Sequence, residues 1–153
     1  PPGGGHPPMT AEDYEPILER CLACRLPMLC TNPDLVAVTG DALTLAPGTL
    51  GERYARSGGT VHYVGKPHPP VYAACRALLP GIQPDRILAV GDSLAHDIRG
   101  ANRAGFAAAF VTDGIPRDSF PPDLDEPART AALARLEREH DAHADWVVPR
   151  LVW

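Results

Sequence analysis

Long apolar runs are absent from this chain of 153 residues. A helix that crosses a membrane needs about 18 or more consecutive apolar residues, and no stretch comes near that length. The opening residues, P-P-G-G-G-H-P-P, also lack the charged and apolar pattern of a secretory signal peptide. We therefore expect no membrane partner and a cytoplasmic location.

Positive charge is also scarce, because 14 Lys and Arg face 19 Asp and Glu, and the net charge is −5. This balance argues against nucleic acid as a partner. The phosphate-binding patterns G-x-x-x-x-G-K-[S/T] and G-x-G-x-x-G are missing, so an unrelated nucleotide-binding α/β module has no support. The four cysteines include one C-x-x-C but no second pair to complete a zinc site, and we expect free thiols.

What is present is a globular pattern, with 44% hydrophobic residues and enough length for one core. Short apolar strands alternate with helices that have one apolar face. This alternation predicts an α/β fold, a Rossmann-like parallel sheet with helices on both faces. The predicted strands are 28–30, 35–38, 61–64, 87–90, 107–112 and 146–148, and the main predicted helices are 48–56, 71–79 and 129–140. We expect residues 1–9 to be disordered and residues 10–153 to form the core.

Two carboxylates follow the predicted strand 87–90. Asp92 lies at its carboxyl end, and Asp97 comes near the start of the next helix. Ligands of open α/β sheets bind at the carboxyl ends of the strands, and a carboxylate pair there suits Mg²⁺. The alternative is that Asp92 and Ser93 only cap the helix, with Asp97 favouring its positive end.

Lys66 follows another predicted strand, 61–64, and precedes Pro67. A lysine at this position can reach the same pocket, where its charge would offset aspartates and phosphate oxygens. Taken alone, G-K-P would indicate a turn with an exposed lysine. Asn32 also has two interpretations, since its amide could contact a substrate or the N-P-D segment could be a simple turn.

Three segments together resemble the haloacid dehalogenase (HAD) superfamily of phosphohydrolases. The stretch G-D-S-L-A-H-D-I-R-G-A-N-R-A-G is similar to the fourth motif of that family, G-D-x-x-x-x-D-x-x-x-A-x-x-A-G. The segment G-K-P-H-P-P-V-Y resembles the third motif of the class with a large cap, and L-P-M-L-C-T-N-P-D-L-V resembles the segment that re-enters the core from the cap. The resemblance covers about residues 12–153 and is nearest to the capped (class IIA) sugar phosphatases.

The resemblance implies a Mg²⁺-dependent phosphatase that acts on a small phosphorylated metabolite, a sugar phosphate or a nucleotide, through an aspartyl phosphate. In such an enzyme Asp92 and Asp97 would help to hold Mg²⁺. Lys66 would stabilise the nucleophile and the phosphoryl group, and Asn32 would border the substrate.

The nucleophile of that family, the first Asp of a D-x-D after a strand, is not found. Asp123 and Asp125 have the spacing but stand in a proline-rich loop, and Asp41 belongs to the re-entry segment. We therefore expect the C-terminal part of a phosphatase, truncated or split from its N-terminal half and inactive alone. The alternative is a non-catalytic remnant that serves binding or assembly. A missing strand also predicts an unpaired sheet edge and self-association.

Overall fold

The computed structural model describes residues 10–39 and 42–152. The predicted disordered segment 1–9 and Asp41 lie outside the described residues. The chain divides into two compact units, the first ending at Gly65 and the second running from Lys66 to Trp153. Each unit has its own strands and helices, and the two are described in turn.

The first unit contains two short sheets and two helices. Its elements are α1 (Glu15–Ala23), β1 (Met28–Cys30), β2 (Val36–Thr39), β3 (Ala42–Leu45), α2 (Pro47–Arg56) and β4 (Val61–Tyr63). β1 pairs with β4 in parallel, whereas β2 and β3 form an antiparallel pair. Pro16 lies in the first turn of α1, where a missing N–H costs no helical hydrogen bond.

Close backbone contacts hold α2 on the chain that follows β1. The Gly48 N–H donates a hydrogen bond to the Asp34 carbonyl at 2.9 Å. A Cβ atom at Gly48 would lie 2.0 Å from the Pro33 carbonyl oxygen, so only glycine allows this approach. Six residues later Tyr54, only 1% exposed, donates its hydroxyl to the Leu26 carbonyl at 2.6 Å. These contacts fix both ends of β1.

The second unit is built on one parallel sheet with the strand order β5–β6–β7. Its elements are α3 (Pro69–Ala77), β5 (Leu88–Gly91), a π-helix (Leu94–Ile98) that continues as α4 (Arg99–Ala104), β6 (Ala107–Val111), α5 (Glu126–His140) and β7 (Trp146–Val148). Gly105 ends α4 with φ of 73°, as a helix-terminating glycine does. The α/β fold class with a parallel sheet is confirmed.

The core of the second unit lies on the central strand. Ala108 and Phe110 of β6 are completely buried, as is Ile98 of the π-helix. Tyr72 and Phe106 add an edge-to-face ring contact with centroids 5.9 Å apart, a geometry that aromatic rings favour. This packing fixes the position of β5 and of the loop that follows it.

β5 is an outer strand, bonded only to β6 among the described residues. Its side chains Leu88 and Val90 are 51% and 42% exposed, which is unusual in a parallel sheet. β5 is thus an edge strand in this part of the chain, while the missing neighbouring strand and self-association stay predictions.

Two further expectations concern the helices and the thiols. No helix in residues 10–39 and 42–152 has the length and apolar character needed to cross a membrane. All four cysteines are free, and of these only Cys30 is buried.

Candidate functional site

The turn after β5 brings the two carboxylates of the acidic motif into place. Ser93 caps the π-helix, because its hydroxyl accepts a hydrogen bond from the His96 N–H at 3.3 Å. The π-helix carries Asp97 back over the end of β5, so that a Cβ atom at Gly91 would lie 2.3 Å from Asp97 Oδ2. Glycine at position 91 is thus required by the carboxylate packed on it. Single π-turns of this kind are common at functional sites.

Lys66 and Asp97 form the central ion pair of the site. Lys66 Nζ donates to Asp97 Oδ1 at 2.5 Å, and the Ser93 N–H donates to Asp97 Oδ2 at 3.1 Å. The Asp97 side chain is 10% exposed and the Lys66 side chain is 50% exposed. A buried carboxylate needs such partners, whereas the lysine keeps an open side toward solvent. Lys66 is also the only lysine in the sequence.

Asp92 is held by the loop after β6 and does not cap the following helix. Its Oδ2 accepts a hydrogen bond from the Ile115 N–H at 3.0 Å. A Cβ atom at Gly114 would lie 2.2 Å from the same oxygen. The loop is anchored behind this contact, where the Asp113 N–H donates to the Pro149 carbonyl at 2.8 Å and Arg150 pairs with the Asp113 carboxylate at 2.9 Å.

Tyr72 supports the π-helix from beneath. Its hydroxyl donates to the His96 carbonyl at 3.2 Å and lies 3.4 Å from the Asp97 carbonyl. Burial, together with the nearby charge of Asp97, raises the pKa of Tyr72 to about 12. The phenol therefore stays a neutral donor at physiological pH and contacts the backbone carbonyls on either side of the Asp97 Cα.

The donor set at this edge fits Mg²⁺ in its oxygen chemistry. Both oxygens of Asp97 already accept hydrogen bonds, whereas Asp92 Oδ1 receives none from the described residues. Asp92 therefore has an oxygen open for direct contact with a cation, and each Asp97 oxygen keeps one lone pair beyond the hydrogen bond that it accepts. In the described ranges, no three or more His, Cys, Asp or Glu side chains lie close enough together to hold a metal ion by themselves. Mg²⁺ commonly binds one or two carboxylates, with water and phosphate oxygens completing its shell.

The other acidic and amide candidates have local roles. Asn32 lies in the first unit, is exposed, and accepts a hydrogen bond from the Asp34 N–H at 3.2 Å through its side chain, which is the turn alternative. Its contact with a substrate stays a prediction. Asp125 caps α5 by accepting from the Ala128 N–H at 2.8 Å. The 123–125 segment follows no strand, as expected.

Four groups at the site were not predicted from the sequence. These are Ser93 as a donor to Asp97, the Tyr72 hydroxyl, Gly114, and the Ile115 N–H. The spacing of Ser93 and His96 carried a signal, since a serine three residues before a helical N–H is a capping pattern. The Gly114 and Ile115 contacts depend on the loop after β6, at the same carboxyl end of the parallel β5–β6 pair, and have no local signature.

Comparisons with known proteins place this geometry in a family. A family model described as HAD-hydrolase-like matches residues 63–151, which include Lys66, Asp92 and Asp97. A dihydroxyacetone phosphatase of Corynebacterium glutamicum (strain R) is 26% identical over 92 residues, covering 60% of this chain and 33% of the relative. A glyceraldehyde 3-phosphate phosphatase of Methanopyrus kandleri is 38% identical over 63 residues, covering 41% of this chain and 27% of the relative.

Solved structures of the same kind share the fold. A haloacid dehalogenase-like hydrolase from Brucella suis 1330 superposes with a TM-score of 0.69 at 30% identity, over 94% of this chain and 51% of that one. A p-nitrophenyl phosphatase from Archaeoglobus fulgidus gives a TM-score of 0.65 at 21% identity, over 95% of this chain and 51% of that one. The chain thus spans about half the length of these structures. It belongs to the HAD-hydrolase-like family.

Proposed function

We propose that this chain is part of a HAD-type phosphatase that hydrolyses a small phosphorylated metabolite, a sugar phosphate or a nucleotide, with Mg²⁺ at Asp92 and Asp97. The observation that supports this most is the hydrogen bond from Lys66 to Asp97, which joins the two motifs at 2.5 Å. The names of the two relatives, both phosphatases of phosphorylated three-carbon compounds, agree with a sugar phosphate.

Each residue then has a distinct task. Lys66, half-exposed and held by Asp97, offers its ammonium group to the phosphoryl oxygens, whose charge rises during transfer. Asp92 has an oxygen open to a cation, and the Ile115 N–H fixes its orientation. Mg²⁺, when bound, would neutralise charge on the transferring group. Asn32 would contact the rest of the substrate.

The proposed hydrolysis also requires a nucleophile. In the reaction that the family implies, an Asp attacks phosphorus and expels the alcohol, and water then hydrolyses the aspartyl phosphate. No D-x-D follows a strand in this sequence, and Asp125 is engaged as a helix cap. We infer that the chain is inactive alone and that a strand ending in D-x-D must be supplied by another segment.

The test is hydrolysis of p-nitrophenyl phosphate with Mg²⁺ by the chain alone and after addition of a separately expressed segment that carries a D-x-D strand. We expect turnover only in the second case, and its loss in both Asp92→Asn and Lys66→Met. Asp123→Asn is the matched control, because it removes the same charge in a loop without an assigned role.

Three other outcomes would change the proposal. Turnover by the chain alone that Asp92→Asn abolishes would keep the phosphatase and refute the need for a second segment. Turnover that survives Asp92→Asn would refute the site. No turnover in either mixture, with both segments folded, would favour the non-catalytic alternative.

A further inference from the structure

A second concave site lies between α3 and α4 of the second unit. It is a cleft of about 240 Å³, with an apolar floor formed in part by Pro67, Pro69 and Tyr72. Gly100 of α4 also lines it, and a Cβ atom there would lie 1.9 Å from the Tyr72 hydroxyl. The two helices can therefore approach closely at this glycine. Neither Lys66, Asp92 nor Asp97 lines the cleft.

Positive charge converges on this cleft. Arg76 of α3 and Arg103 of α4 both line it, and Arg99 lies one turn before Arg103 on α4. Like charges four residues apart on a helix repel each other. None of these three arginines has an ion pair with a described residue. This patch is thus positive in a chain whose net charge is −5.

The buried part of Arg99 lacks a hydrogen-bond acceptor. Its Nε is inaccessible to solvent and has no hydrogen-bond partner in the described part of the chain. A buried donor without an acceptor is costly, and native structures rarely keep one. Arg99 does not line the cleft, so it adds positive charge beside the site and no contact within it.

His68 lies close to the same positive charges. It precedes α3 and is partly buried. Burial lowers the pKa of His68, and the positive charges of Arg103, Arg99 and His96 lower it further. These side chains therefore act on one small region, although they come from two different helices and the π-helix.

We propose that Arg76 and Arg103, with the charge of Arg99 beside them, form a second anion site, which binds the phosphate group of a small phosphorylated molecule. Guanidinium groups match phosphate oxygens through paired, charge-assisted hydrogen bonds. The cleft volume admits one small group. Its apolar floor favours a phosphate attached to a ring or short chain over free phosphate. The site is independent of the proposed phosphatase activity.

The test is calorimetric titration of the 153-residue chain with inorganic phosphate and with phenylphosphonate, which has no phosphoester bond to hydrolyse. Chloride keeps the ionic strength constant. We expect saturable binding of both, with phenylphosphonate the tighter ligand. Arg76→Gln and Arg103→Gln alter exposed side chains and should each weaken binding by about tenfold or more, the loss of one charge-assisted contact.

Matched variants separate this site from its alternatives. Arg135→Gln removes the same charge from a side chain that is 58% exposed and should leave the affinity unchanged. Lys66→Gln removes the ammonium group proposed to contact phosphoryl oxygens, so the binding that it leaves intact belongs to the cleft and not to the Lys66–Asp97 pair.

Several results would overturn the proposal. Absence of saturable binding to the wild-type chain would do so directly. Equal losses in Arg135→Gln and Arg103→Gln would show a general charge effect. Binding that Lys66→Gln abolishes and the arginine variants retain would assign the anion to the Lys66–Asp97 pair.

Discussion

The two units of this chain differ in how their strands are supported. In the first, four strands form two separate pairs, one parallel and one antiparallel. In the second, three strands form one parallel sheet, and the central strand β6 is bonded on both sides and packed on a shared core. Lys66, Asp97 and Asp92 all belong to the second unit. The three candidate site residues thus belong to the unit whose central strand is paired on both sides.

The strongest test of this difference is removal of a core side chain from β6. Phe110 is fully buried, so Phe110→Ala should lower the free energy of unfolding by about 3–5 kcal/mol. Leu29→Ala, in β1 of the first unit, alters a side chain that is 63% exposed and should change it by less than about 0.5 kcal/mol. Urea denaturation measures both. Equal effects would contradict the contrast between the two sheets.

A glycine-to-alanine substitution in one helix of each unit should change the free energy of unfolding in opposite directions. In α4, Gly100→Ala would place Cβ 1.9 Å from the Tyr72 hydroxyl, and we expect a loss of about 1–3 kcal/mol from overpacking. In α2, Gly51→Ala meets only the Tyr63 ring at 3.2 Å and Cys30 Sγ at 3.5 Å. There the better helix propensity of alanine should give a net gain of up to about 1 kcal/mol. Thermal unfolding midpoints of both variants test this prediction. A loss of stability in Gly51→Ala as large as that in Gly100→Ala would refute it.

A pH titration compares one buried tyrosine from each unit. Tyr72 has a pKa of about 12 when folded, against about 10 for an unperturbed tyrosine. Above pH 10 the unfolded chain therefore binds fewer protons, so the unfolding free energy falls as the pH rises toward 12.

The loss of unfolding free energy at alkaline pH should be reduced more by Tyr72→Phe than by Tyr54→Phe. Burial raises the pKa of Tyr54 as well, but the charge of Asp97 acts only on Tyr72 among these two. Urea midpoints between about pH 9 and 11 provide the comparison. If the urea midpoint of Tyr72→Phe depends on pH as steeply as that of the wild type, this phenol does not control stability at alkaline pH.

The smallest effect is expected at the surface of the first unit. Arg53 pairs there with Glu12 and Glu15. A backbone hydrogen bond lowers the pKa of Glu12 the most, and the contact with Arg53 lowers it further. Arg53→Gln should shift the urea midpoint slightly, and the shift should vanish near 1 M salt, where charges are screened over about 3 Å. A shift that persists in high salt would indicate packing by the Arg53 side chain.

The sequence grouped the candidate residues because Lys66 and Asp92 each follow a predicted strand. Lys66 was placed after one predicted strand and Asp92 after another, and Asp97 was expected near the start of the following helix. The structure joins Lys66 to Asp97 as a direct pair. Their roles toward Mg²⁺ and phosphate remain predictions, because geometry alone tests neither.

Contacts made by loop backbone were beyond the sequence. The Ile115 N–H reaches Asp92 only after β6 has paired with β5, and nothing near residue 115 signals this. His96 is half-buried, and Ser93 Oγ contacts its ring at 3.0 Å. β3, at Ala42–Leu45, was not predicted. Its antiparallel pairing with β2 depends on the partner strand and not on the strand's own short sequence.

The anchoring of the Asp92 loop has a consequence for the order of synthesis. Asp113, just before Gly114 and Ile115, is tied to Pro149 and Arg150, which follow the last strand. A ribosome adds those residues long after it has added Asp92, and a chain released in steps folds its earlier parts first. The acidic motif is therefore exposed on a nascent chain before its final restraint exists. Only when β7 joins β6 is the loop that orients Asp92 held from both sides.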